Sequence, residues 1–333
     1  MKKILILACL VLLLTGCRNQ DNVVIGHNVD SSYFHISSDF ERAKVGFYVP
    51  NNRGNRLDTK EVELGLMRIS SNHFNNNNTY WQSGQHLSRP VLREMITAVN
   101  RQPIEIEGES HTLPVVSYIY EANLVNSSNN LRGIALAINI NRHQTIGRSS
   151  IELTDEQIIK FINDNFEEIA KPLRNIDGLE DVRLAVGVFG MNPNTSILPG
   201  VYIAEGTTTN NEISLNSLNN RVVLFSGNTR ANTTEHQDFT NLDQMLRGKY
   251  PNIMINAIAT YTDDQMTSLE ITINIGAVAI SNLMSVGQDI INNINSNFRN
   301  KQNIKVLIRN NNQDTAFIIF NDQNRNGSIH LLP

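Results

Sequence analysis

Cys17 closes the run Leu14-Thr15-Gly16-Cys17, and its thiol is the group whose neighbours specify a reaction. A leucine, a small residue and a glycine ahead of a cysteine form the pattern read by bacterial lipoprotein processing. In that chemistry the sulfur takes a diacylglyceryl group and the peptide bond between Gly16 and Cys17 is cut. The residues upstream agree. Lys2 and Lys3 give a basic start, and Ile4 to Leu14 form an uncharged apolar core, the layout of an export signal. That run falls short of the roughly 20 apolar residues a membrane-spanning helix needs. The competing reading is an ordinary secretory signal that happens to contain a cysteine. The other cysteine, Cys9, leaves with the signal, so the mature chain keeps one thiol. A disulfide, a cysteine metal site and a deeper thiol nucleophile are thereby excluded. Each buried methylene contributes about 0.8 kcal/mol, so two acyl chains hold stably where one is marginal. The expected location is the outer face of the cytoplasmic membrane, at the cell surface. The membrane and the lipoprotein-processing enzymes are the expected partners.

Elsewhere the residues with chemical potential are sparse. Tyr80, Trp81, Gln85 and His86 cluster around Gly84 and form a candidate binding surface for an unidentified surface protein or ligand, since exposed aromatics supply contact area. A core corner with the indole buried is the competing reading. His236-Gln237-Asp238 offers two metal-ligand types, but it stands in a polar Thr/Asn stretch and reads as a solvated loop. Glu61 with Glu63, and Glu152 with Asp155 and Glu156, are acids at or beside helix starts, where the helix dipole accounts for those in first turns. There is neither a nucleophile elbow nor a phosphate-cradling glycine loop with its lysine. No catalytic residue, metal or cofactor is assigned. A non-catalytic binding module is the preferred reading of the mature part. An extracellular hydrolase acting on cell-wall material or peptides, with acids from two halves meeting in a cleft, is the alternative.

The chain has 333 residues and a net charge of −4, which becomes −6 once Lys2 and Lys3 leave. Basic and acidic residues are interspersed along the sequence, which argues against nucleic acid as a partner. Asparagine runs such as Asn75-Asn76-Asn77-Asn78 and Asn310-Asn311-Asn312 are short and read as loop filling.

The elements that must carry these residues follow from periodicity. Residues 1–16 are the signal, and residues 17–43 are polar without a sustained period and read as a flexible tether. A helix is expected after Asp58 with Val62, Leu66 and Ile69 at helical spacing, and another after Ser88 with Pro90 in its first turn. Val115–Tyr120 and Ile134–Ile140 read as a hairpin. Thr154 and Gln157 open a long helix with Ile158, Ile159, Ile162, Phe166, Ile169 and Leu173, which Pro172 kinks or ends near Lys171. Two more strands follow, at Leu184–Phe189 and Gly200–Ala204.

The order then recurs. A helix at Leu242–Leu246, a hairpin of Ile253–Tyr261 with Leu269–Ile275, a helix bearing Ile290, Ile291, Ile294 and Phe298, and strands at Ile304–Ile308 and Ala316–Phe320 repeat the plan. Asn326-Gly327 turns the chain into a last strand. The expected fold is therefore α+β, with two tandem related domains, each a mostly antiparallel four-stranded sheet with helices on one face. The first spans residues 44–206 and the second residues 207–333, with a linker at about 207–237 that contains a strand at Val222–Phe225.

Several stretches carry a likeness: Gly65-Leu66-Met67-Arg68-Ile69-Ser70, Phe74, Tyr80, Gly84-Gln85-His86-Leu87, Gly133-Ile134-Ala135-Leu136-Ala137-Ile138-Asn139, Gly178-Leu179, Ser196-Ile197-Leu198-Pro199-Gly200, Val223-Leu224-Phe225 and Tyr250-Pro251-Asn252. In this order, over about residues 44–310, the chain resembles the CamS sex-pheromone lipoprotein family of Gram-positive bacteria, the staphylococcal cAM373 pheromone precursors among them. The resemblance implies that a short apolar peptide, cut from the signal just ahead of the lipidated cysteine, acts on enterococci as a conjugation pheromone. Here the candidate peptide is Leu10-Val11-Leu12-Leu13-Leu14-Thr15-Gly16, a leucine run where family peptides contain Ala, Ile and Phe. A plain hydrophobic signal core is the competing reading of the same residues.

Overall fold

The computed structural model describes residues 34–36, 42–75, 77–227, 233–301, 303–320 and 325–332. In chain order the elements of the first half are β1 (His35–Ile36), α1 (Thr59–Ser71), β2 (Tyr80–Ser83), α2 (Arg89–Val99), the small hairpin β3 (Pro103–Ile106) and β4 (Glu109–Thr112), and β5 (Val116–Val125). They continue with β6 (Leu131–Asn141), the hairpin β7 (His143–Ile146) and β8 (Ser149–Glu152), α3 (Asp155–Arg174), β9 (Leu184–Met191), β10 (Val201–Thr208) and β11 (Asn216–Ser217). The second half comprises β12 (Asn220–Ser226), α4 (Thr234–Lys249), β13 (Met254–Thr262), β14 (Gln265–Asn274), α5 (Ile280–Asn297), β15 (Ile304–Asn310), β16 (Gln313–Phe320) and β17 (Ser328–Leu331).

Two sheets result, ordered β1-β2-β5-β6-β9-β10-β11 and β12-β13-β14-β15-β16-β17. With β1 set aside, they match strand for strand. The β2/β5, β5/β6, β9/β10 and β10/β11 pairs are antiparallel and β6/β9 is parallel. The second sheet repeats those directions in the same order, including the parallel β14/β15 pair. The protein is thus α+β with two related halves. Each sheet exceeds the expected four strands, because the short β2 and β11 and the outlying β12 and β17 add to the edges. The parallel β6/β9 and β14/β15 pairs follow from the helix that crosses over between their strands, and β1 adds a second parallel pair to the first sheet.

The expectation of helices on one face holds for the second half only. In the first, α2 and α3 cover one face with Leu92, Ile96, Ile158 and Phe166. The other face is covered by α1, whose Val62, Leu66 and Ile69 pack on Tyr118, Tyr120, Ala135 and Ala137. The strands β5 and β6 are therefore buried along almost their whole length rather than on alternate residues. In the second half, β13 and β14 mostly alternate between buried residues and partly or fully exposed ones. There Ile255, Ala257 and Ile271 share a core with Leu283 and Ile290 of α5, while Met254 and Glu270 are exposed.

Local signals explain the helix ends. The Ser88 Oγ accepts from the Val91 amide at 3.5 Å, and Thr154 with Gln157 closes a reciprocal box at 2.9 and 3.2 Å. Asp58 stands at the cap position of α1 but makes no capping bond. Pro172 neither kinks nor ends α3, which runs on to Arg174; the departure from helical geometry is at Asn165 (φ −124°, ψ 16°), whose Nδ2 donates to the Phe161 carbonyl. The halves are joined directly: Asn220 Nδ2 donates to the Tyr202 carbonyl at 2.9 Å, and Lys60 lies 3.8 Å from Glu270.

Candidate functional site

Cys17, the Leu14–Cys17 cleavage motif and the candidate peptide from Leu10 to Gly16 lie outside the described residues. What the structure does place is the Tyr80–Leu87 segment, and it builds a loop around a buried acid.

The segment leaves β2 at Ser83 and turns at Gly84, where a Cβ would sit 2.7 Å from both the Glu121 carbonyl and its Oε2. Only glycine lets the backbone pass so close. The next amides then point inward. Glu121, on β5, is 7% exposed; its Oε1 accepts from the His86 amide and its Oε2 from the Leu87 amide, each at 2.9 Å. The Asn123 side chain, oriented to satisfy its neighbours, accepts from the Gln85 amide at 3.1 Å and donates to Glu121 Oε1 at 2.9 Å. Successive amides turned toward one anion form a nest, here filled by the chain's own carboxylate. Burial raises the Glu121 pKa, while the three amides and the charge of Lys44 pull the other way. The loop is held from outside by Lys44 N to Gly84 O at 2.9 Å and Gln85 Nε2 to Arg42 O at 3.0 Å. Burial, then the charge of Lys44, lowers the His86 pKa.

The aromatic pair divides. Trp81 is 2% exposed and stacks on Phe34 with ring centroids 6.1 Å apart, so its indole offers no outer contact area. Tyr80, Gln85 and His86 are half-buried. Phe34 belongs to the stretch expected to be tether, yet it is buried, and Ile36 beside it pairs in parallel with Trp81.

A second brace uses Ser196–Gly200. Asp58 Oδ2 accepts from the Gly200 amide at 2.8 Å, its Oδ1 meets Arg56 Nε at 2.5 Å, and Arg56 Nη1 donates to the Ser196 carbonyl at 2.9 Å. This engagement is why Asp58 does not cap α1. His236 stacks flat on Phe225 at 4.3 Å, and Asp238 accepts from the Arg299 amide at 3.1 Å; both are buried rather than in a solvated loop. Sequence reasoning missed Glu121, Arg56 and Asp58 as bracing groups. The one visible signal was an acid set directly after the apolar run Val115–Tyr120.

The family described as "CamS sex pheromone cAM373 precursor" matches residues 40–326, which includes both loops. The chain belongs to the CamS family. Among solved structures, this CamS-family chain is similar to a sex pheromone precursor from Lactobacillus salivarius subsp. salivarius UCC118, with TM-score 0.77, 18% identity, 92% of this chain covered and 98% of that one. It is also similar to the C-terminal domain of the sex pheromone staph-cAM373 precursor from Staphylococcus aureus, with TM-score 0.68, 17% identity, and 85% and 99% coverage. At such identities the likeness concerns the fold. No curated protein sequence matches the chain.

Proposed function

We propose that this CamS-family member is a surface lipoprotein, anchored by a diacylglyceryl group on Cys17, whose folded part is a non-catalytic binding module. The observation that carries the second half of this reading is the employment of the buried acids. Glu121 is held by backbone amides, Asp58 by Arg56 and the Gly200 amide, Asp238 by the Arg299 amide and Asp243 by Arg247 at 2.6 Å. Each braces a loop or helix, and a carboxylate so engaged is poorly placed to exchange protons with a substrate. The anchor rests on the residues ahead of Cys17 and on family membership. The cut ahead of Cys17 releases the signal, and a second cut between Cys9 and Leu10 frees Leu10–Gly16 as a pheromone-like peptide, a reading favoured by the precursor names of the similar proteins.

Replacing Cys17 by serine in the full chain tests the anchor. The expected result is loss of lipid mass and of membrane retention with the fold unchanged by circular dichroism. Retention of both processing and membrane association overturns it. Synthetic Leu10–Gly16 peptide should elicit clumping or plasmid transfer in responsive cells, and no response overturns the peptide reading.

A further inference from the structure

The exposed side of α2 carries Arg89, Arg93 and Thr97 at intervals of four residues, hence on one row of the helix, and the exposed Arg101 follows just past the helix end. They line a shallow groove of about 570 Å³ together with Pro90 and Glu94. In linear sequence this row is hidden, because three residues separate each member from the next. The first two guanidiniums are held by Tyr48: Arg93 Nε donates to its hydroxyl at 3.2 Å, and the Arg89 Cζ lies 5.9 Å from its ring centre. Both of these arginines are exposed and line the groove.

The placement works against the helix itself. Arg89 occupies the first position of α2, and the first turn contains no acid. A cation there opposes the helix dipole. Acids outnumber bases in the chain by 32 to 28, yet none of the three arginines meets a carboxylate among the described residues. Unfavourable local charge that the rest of the fold does not offset points to a ligand that does.

We infer that the α2 row is a binding site for a linear polymer of phosphate diesters. Arg89 and Arg93 lie about one turn apart and suit a tetrahedral anion gripped by two guanidinium forks. Arg101, beyond the opposite end of the helix but lining the same groove, engages a later unit of the same chain. Two other polyanions fit less well. Single-stranded nucleic acid wants exposed rings on which bases stack, and the Tyr48 ring is taken by Arg89. An anionic membrane wants apolar side chains to insert beside the cations, and the exposed row offers arginine, threonine, proline and glutamate.

This site deepens the binding-module reading and rests on it for its setting at the cell surface. Its test is independent of Cys17 and of the released peptide. The full chain is titrated with a glycerol-phosphate oligomer of about ten units, read by calorimetry at two salt concentrations. The expected result is binding that weakens with salt, falls at least tenfold in the R89Q/R93Q double variant and about threefold in R101Q, and is unchanged in R132Q. R89K/R93K should recover part of the loss. Equal affinity of the wild type and R89Q/R93Q overturns the site. So does equal or tighter binding of polyglutamate, of single-stranded DNA or of phosphatidylglycerol vesicles. A failure here leaves the binding-module reading standing, because other surfaces remain open to partners.

Discussion

The His86 amide and the Glu121 carboxylate stand 2.9 Å apart, and a second 2.9 Å bond from Leu87 completes the grip. Backbone amides first, and the charge of Lys44 after them, compensate this acid in the sheet. A loop that looked like a ligand surface is organised around an internal anion. Glu121→Ala leaves those donors buried without an acceptor and should destabilise the protein by about 2–4 kcal/mol, against about 1 kcal/mol for Glu121→Gln, which keeps an acceptor oxygen. Urea unfolding of the three proteins at neutral pH measures both.

The same residue gives stability a pH dependence. The Glu121 pKa is raised above the ordinary 4.5, chiefly by burial. A carboxyl with a raised folded pKa binds more protons folded than unfolded, so its contribution falls as pH rises from the unfolded pKa through the folded one. Wild type should therefore lose stability relative to Glu121→Gln across that window. A difference that stays flat, or slopes the other way, contradicts the assignment.

Two helix glycines should respond oppositely to alanine. At Gly65 a Cβ would lie 2.4 Å from the ring of Tyr202, and that ring is fixed by its hydroxyl bond to the Val62 carbonyl at 2.6 Å. Gly65→Ala should cost about 1–3 kcal/mol through displacement of α1. At Gly287 the nearest atom is the Ile329 Cδ1, the far end of a side chain that can turn away. A helix-propensity gain of up to about 1 kcal/mol then offsets the clash, leaving Gly287→Ala near neutral. Thermal denaturation of the two variants separates the cases.

Trp81 is the chain's single tryptophan and lies against Phe34, so its fluorescence reports on that contact. Phe34→Ala should shift the emission to the red. An unchanged spectrum would show that the segment does not cover the indole in solution.

Removing the Asp58 carboxylate breaks the brace on Ser196–Gly200. Asp58→Ala leaves Arg56 Nε and the Gly200 amide without their acceptor and should cost about 2–4 kcal/mol. Proteolysis near Leu198 should accelerate, which a mapped cleavage time course would detect.

Much of the fold was legible because α2, α3, α5 and the paired strands carry strong apolar periods and clean helix-start signals, as at Ser88 and Thr154. The duplication was legible too, but its register was not. Spacing matches Ile158, Ile159, Ile162 and Phe166 to Ile290, Ile291, Ile294 and Phe298. Counted from the caps Thr154 and Ala279, the counterparts of Ile158, Ile162, Ile169 and Leu173 are Leu283, Gly287, Ile294 and Phe298. A slip of seven residues is two helical turns and leaves an apolar stripe almost unchanged, so periodicity alone does not detect it. The short edge strands β2 and β11 have too few residues for a pattern. The burial of Glu121 depended on backbone amides, which every sequence has and none advertises.

The pairing of Ile36 with Trp81 also sets a length. A free tether from Cys17 to residue 43 could stretch to about 90 Å, at 3.3–3.6 Å per residue. With Phe34 seated against Trp81, the span from Cys17 shortens to about 60 Å at full extension. Under the lipid anchor proposed at Cys17, that is a reduction in reach of roughly a third, with the β1 edge of the first sheet as the mooring point. Loosening Phe34 would lengthen the reach between Cys17 and the body without altering either half of its fold.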